Sequence, residues 1–143
     1  MNIKTLTIAL FSSLLFIDSI QSQNYWQQEV DYKILVDVNA KNNSYKGSQE
    51  IVYTNNSQDT LNKVFFHLYF NAFKKGSEMA IRLDNGDDAN TRFDVDINKL
   101  EPEEEGFLNV SNLKQDNIKV ETFLSDTILE VTLADPLLPG NSS

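Results

Sequence analysis

The chain has 143 residues, enough for one domain, and its 41% hydrophobic and 23% charged content suits a packed core rather than a disordered segment. Its 12 basic and 21 acidic residues leave a formal charge of -9, which argues against nucleic acid or an anionic membrane surface as partner. The absence of cysteine excludes disulfides, thiolate metal sites, a catalytic thiol and an acylated-cysteine anchor, so stability must come from apolar burial and strand pairing.

Residues 1–22 read as an export signal. Lys4 gives the basic start, Leu6 to Ile17 a short apolar run, and Asp18 to Ser22 a polar end with small Ser22 before the cleavage point. A membrane-spanning helix needs roughly 20 apolar residues, more than this run supplies. The mature chain is expected to be exported, to the periplasm or the medium, with no membrane span after cleavage. Residues 23–143 are then one β domain.

After a polar lead containing Tyr25 and Trp26, Val30, Tyr32, Ile34, Val36, Val38 and Ala40 alternate with mostly polar residues, the period of a half-buried strand. Lys41 to Ser44 is a turn cluster, and Tyr45 to Thr54 returns with Tyr45, Gly47, Ile51 and Tyr53 on one side. The two runs predict an antiparallel hairpin. Val64 to Phe70 is apolar and aromatic on both faces, which predicts a central strand buried on both. Between Phe73 and Gly106 the period fails, and the stretch reads as a long polar loop with Asp84, Gly86, Asp87, Asp88 and Glu103 to Glu105. Gly106 to Leu113, Ile118 to Leu124 and Thr127 to Leu133 predict three more strands, joined by Lys114 to Asn117 and by Ser125-Asp126. Little helix is expected. The fold class is all-β: an antiparallel curved sheet or saddle-like β-sandwich. Pro136 to Asn141 reads as a turn that launches a further strand, so the strand from Thr127 is expected to present an open edge, incomplete at its C-terminal side.

Candidate chemistry is sparse. His67 is the sole histidine, cannot build a His-rich zinc site alone, and is read as a hydrogen-bonded structural residue. Asp94, Asp96, Asn98 and Glu105 have the oxygen-ligand spacing of an EF-hand loop, but Lys99 stands where that loop needs glycine and Pro102 interrupts it. They are read as a solvated acidic loop. Asn42, Asn55, Asn109 and Asn141 each begin an Asn-x-Ser sequence, taken here as turn chemistry. Tyr25 and Trp26 are read as a hydrophobic clamp at the entry to the fold rather than a ligand-stacking platform. No phosphate loop, nucleophile elbow or His-Glu-x-x-His helix occurs. No catalytic, cofactor-binding or metal-binding residue is therefore assigned in this chain.

An ordered set of segments has a further likeness. Tyr45-Lys46-Gly47, Ile51 to Ser57, Asp59-Thr60-Leu61 and His67 to Phe73 resemble the opening domain of bacterial aminopeptidase N-type zinc metallopeptidases, nearest the large secreted Bacteroidetes-like members. Gly76 to Met79, Lys99 to Pro102, Glu105-Gly106-Phe107, Thr127 to Val131, Leu133 to Pro136 and Pro139-Gly140 continue it, from Tyr25 to Gly140. Asp84 to Glu105 is less similar than its flanks.

The resemblance implies a saddle-like β domain ahead of a thermolysin-like catalytic domain absent from these residues. That absent domain would hold the zinc with two histidines and a glutamate and would act on peptide substrate. The piece in hand would dock on it and wall one side of the substrate cavity, carrying no activity itself. The competing reading is a freestanding secreted β-sandwich that binds peptide or carbohydrate.

Overall fold

The computed structural model describes residues 25–85 and 96–143; residues 1–22, read from the sequence as an export signal, the polar lead before Tyr25, and Gly86, Asp87, Asp88 and Asp94 lie outside them. The described chain is mostly strand with little helix, in antiparallel sheets that do not close, so the fold is all-β as the sequence predicts.

The first sheet is the hairpin of β1 (Glu29–Asn39) and β2 (Ser44–Thr54), paired without a slip from Glu29 opposite Thr54 to Asn39 opposite Ser44. Its loop is tied by two side chains: the Lys41 backbone N–H donates to Asn39 Oδ1 at 3.0 Å, and Ser44 Oγ to Asn42 Oδ1 at 2.7 Å. Asn43 closes the loop in the left-handed region at φ 50°, which asparagine tolerates better than most residues.

The second sheet contains β3 (Leu61–His67), β6 (Glu121–Ser125) and β7 (Ile128–Leu137), in the order β3-β7-β6. Two expectations are corrected by this order. The strand through Phe65 is at the border, not the centre, and the strand after Thr127 is the centre, paired on both sides. The reason is visible in β3. Val64 and Phe66 face the core, whereas Phe65 on the other face is 61% exposed, so apolar residues on both faces did not mean burial on both faces.

Leu68, Val120, Leu129 and Val131 form the buried centre, packed by Val64, Phe66, Leu108 and Leu113. The stretch from Gly106 to Leu113, expected to be a strand, contains none. It crosses the sheet face as a cover, with Leu108 and Leu113 as its anchors and Asn112 breaking extended geometry at φ 57°. The predicted turn at Lys114 to Asn117 is the tip of a small hairpin, β4 (Lys114–Gln115) with β5 (Ile118–Lys119). Asp116 and Asn117 sit at φ 46° and 71°, the double left-handed pattern whose twist matches a two-residue hairpin.

The expected long polar loop contains a helix, α1 (Glu78–Asn85), preceded by a 3-10 turn at Tyr69–Phe73 and followed by another at Ile97–Lys99. Ser77 caps α1: its Oγ accepts from the Ala80 N–H at 3.1 Å and donates to the Ala72 carbonyl at 2.6 Å. Gly76, at φ 72°, makes the bend that lets the chain enter α1.

Candidate docking surface

The hairpin's two faces differ in kind. Because side chains alternate, Val30, Tyr32, Ile34, Val36 and Val38 share one face with Tyr53, Ile51, Gly47 and Tyr45. The reverse face carries Asp31, Lys33, Asp37, Lys46 and Glu50, with Lys33 Nζ 3.7 Å from Glu50. Leu35 and Val52 are the exceptions on the polar side. A half-buried strand would cover the apolar face, yet Tyr32, Ile34, Val36 and Val38 are 54–69% exposed. Burying an aliphatic or aromatic side chain fully is worth about 1.5–3 kcal/mol, so covering these four would stabilise a complex by several kcal/mol. At the hairpin tip Tyr45 meets Phe70 of the first 3-10 turn, ring centroids 6.2 Å apart.

A second exposed apolar area lies on the outer face of β3-β7-β6. Phe65 and Phe123 each stand opposite Glu130, whose carboxylate accepts from Lys63 Nζ. The ion pair sits between two exposed rings.

Two buried asparagines hold these surfaces in place: Asn55, read from the sequence as turn chemistry, and Asn71, which the sequence does not mark. Asn55 is 0% exposed. Its Nδ2 donates to the Asp59 and Leu137 carbonyls at 2.8 and 2.9 Å. Its Oδ1 accepts from Gln28 Nε2 at 3.1 Å, and from the Ser57 N–H and Oγ at 3.0 and 2.7 Å. One amide therefore joins the hairpin's base to the end of β7. Asn71 does the same for the body: its Oδ1 accepts from the Leu108 N–H at 2.8 Å, and its Nδ2 points to the Asp126 carbonyl at 3.5 Å. Burial without hydrogen bonds would be costly, and no described buried side-chain polar atom lacks a partner. The available signal was the Asn-x-Ser spacing at 55–57, which here marks an Asx turn.

Gln115 is another tie. Its side-chain amide donates to the Asp135 carbonyl at 2.9 Å and accepts from the Asp135 N–H at 3.1 Å, imitating a strand partner for β7 beyond the reach of β6.

His67, Asp96 and Glu105 lie apart from one another. His67 is exposed on β3, with Nε2 3.1 Å from Thr127 Oγ1 and its ring against Tyr69 at 3.8 Å between centroids. It is hydrogen-bonded, but not on an inner strand. Asp96 caps the second 3-10 turn through the Asn98 N–H and binds Lys99 at 2.8 Å, while Glu105 accepts from the Lys75 N–H at 2.8 Å. The Lys99 hydrogen bond holds the Asp96 carboxyl below the usual carboxylate range, and Asp96 raises Lys99 in turn. Of the pair read as a clamp, Tyr25 is 90% exposed and Trp26 48%, so they do not form a buried clamp at the entry. Gln28 holds the entry instead, donating to Asn55 and accepting from the Asn56 N–H at 2.7 Å. Asn42, Asn109 and Asn141 are exposed and only Asn55 is buried.

Among the described residues no group of three acidic, histidine or cysteine side chains is placed to hold a metal, and no helix is long and apolar enough to cross a membrane. One histidine cannot supply the two-histidine, one-glutamate zinc set that the resemblance implies. The chain matches no family model, no curated protein and no solved structure.

Proposed function

We propose that this chain is the non-catalytic N-terminal β domain of an exported zinc aminopeptidase-like protein. It docks on a catalytic body outside these residues and walls one side of that body's peptide-binding cavity. The observation that carries the reading is the apolar face of β1 and β2, 54–69% exposed along Tyr32, Ile34, Val36 and Val38, while the reverse face is mostly charged or polar. A face of this kind on a soluble domain marks a surface that is covered in the working protein. The ordered resemblance of Tyr45 to Phe73 and of Thr127 to Gly140 to the metallopeptidase opening domain supplies the identity of the cover. Any zinc belongs to that body, since the residues present here do not fit it.

The centre of the stripe is aliphatic, at Ile34, Val36 and Val38, with Tyr32 and Tyr45 towards its ends, and an aliphatic centre favours a protein cover over stacked sugar rings. The test is the reading frame beyond Ser143. Continuation into a His-Glu-x-x-His segment followed by a further glutamate is the expected result. A stop codon directly after Ser143 would replace it with the freestanding binding module.

A further inference from the structure

The backbone of β2 has a border that is only begun. Tyr53 and Ser143 exchange both backbone hydrogen bonds, the Tyr53 N–H to Ser143 O at 2.9 Å and the Ser143 N–H to Tyr53 O at 3.1 Å. Asn55 N–H donates to Asn141 O at 2.9 Å, and Thr54 stands opposite Ser142 with their hydroxyls 2.8 Å apart. This is an antiparallel ladder on the side of β2 that faces away from β1. Strand groups alternate in direction, so the N–H and C=O groups of Ile51, Gln49, Gly47 and Tyr45 point the same way as those of Tyr53. No described residue pairs with them.

We propose that this border of β2 is the seat of a further antiparallel strand, formed by the polypeptide that follows Ser143 in the intact protein. The inference rests on the reading above that the chain belongs to a longer protein. Ser143 already lies in register, and about eight more residues would run the strand to Tyr45. The register also fixes the pattern. Positions opposite Ile51, Gln49, Gly47 and Tyr45 share the apolar face of the hairpin, so every second residue after Ser143 is apolar and those between are polar. A second copy of this chain is a weaker occupant of this border, because its β2 would have to displace the ladder at Tyr53.

Amide hydrogen exchange on the 143-residue chain, and on two fusions, tests this. One fusion adds an alternating Thr-Val strand of about eight residues with valines in the predicted positions, and the other exchanges the two residue types, turning the valines to the polar face. The first fusion should slow exchange at Ile51, Gln49, Gly47 and Tyr45 by about tenfold or more, and the second by much less. The amides of Val52, Glu50 and Ser48, which face β1, report in the same spectrum that the hairpin is formed. Equal protection in the unextended chain, protection that rises with protein concentration, or no effect of the first fusion would each overturn the proposal. Capture of the fused strand beside a reading frame lacking the zinc segment would leave the strand seat standing and remove the metallopeptidase reading.

Discussion

Asn55 and Leu137 lie 82 positions apart, and the asparagine's Nδ2 donates to the leucine's carbonyl at 2.9 Å in a site closed to solvent. That bond joins the hairpin to the central strand of the second sheet. Asn55→Ala removes a donor to the Leu137 and Asp59 carbonyls and the acceptor shared by Gln28 and Ser57. The expected loss is about 2–4 kcal/mol of unfolding free energy, measured by urea titration. Expressed through a glycosylating secretory pathway, Asn55 should stay unmodified, since both its amide hydrogens are engaged. A glycan found on Asn55 would mean that this node opens.

Gly47 and Gly140 are both needed, for different reasons. A Cβ on Gly47 would meet the Leu35 carbonyl at 2.5 Å, so Gly47→Ala must push the two strands apart. Gly140 has open space around it but sits at φ 76°, where a side chain costs about 1 kcal/mol. Thermal melts should show the larger loss for Gly47→Ala, about 1–3 kcal/mol.

Neighbouring phenylalanines on β3 should behave as opposites. Phe66→Ala opens the core beside Leu129 and Val131 and should cost about 3 kcal/mol. Phe65→Ala removes an exposed ring and should change stability by less than about 1 kcal/mol. Equal losses would mean that the outer face of this sheet is packed.

The strands were the legible part of the sequence. In β1 and β2 the period-two pattern gave the hairpin, its partners and its turn, because a single-residue slip would have mixed the Tyr32 face with the Lys33 face. What failed was the inference from apolarity to burial at Phe65 and along β1, although Val64, Phe66 and Leu68 do pack in the core. Phe65 and the stripe from Tyr32 to Val38 are apolar and exposed, and one sequence cannot separate a core from a surface awaiting cover. Helix α1 was signalled by the Ser77 cap ahead of Met79, Ala80, Arg82 and Leu83, all good helix formers, but the acidic residues after it made the whole stretch read as loop. Asn71 gave no local signal, because its partners Leu108 and Asp126 are distant in the chain.

Two groups give opposite dependences on pH. Asp96 is held below the ordinary carboxylate range by Lys99 and the Asn98 N–H, so its contribution is present above the unfolded pKa of about 4 and is lost as pH falls through the lower folded value. Asp96→Asn should flatten the acid limb of the stability profile. Tyr53 is pushed above its ordinary value by burial and then by Tyr32, so its contribution is present below a pH of about 10 and is lost as pH rises through the higher folded value. Tyr53→Phe should remove that alkaline limb, followed by phenolate absorbance.

With one histidine where the two-histidine zinc set needs two, the purified chain should release no N-terminal residues from peptides, with or without added zinc. Turnover that depends on zinc and survives repurification would place an active site where none has been assigned.

The uncovered face of β1 and β2 is decided most directly by sedimentation velocity across a range of protein concentrations, for the native chain and for a variant with Ile34→Glu and Val36→Glu. The native chain should self-associate as its concentration rises, and the variant should stay monomeric with an unchanged circular dichroism spectrum. A native chain that remains monomeric throughout and unfolds in one sharp, reversible transition would contradict the claim that this face requires a partner.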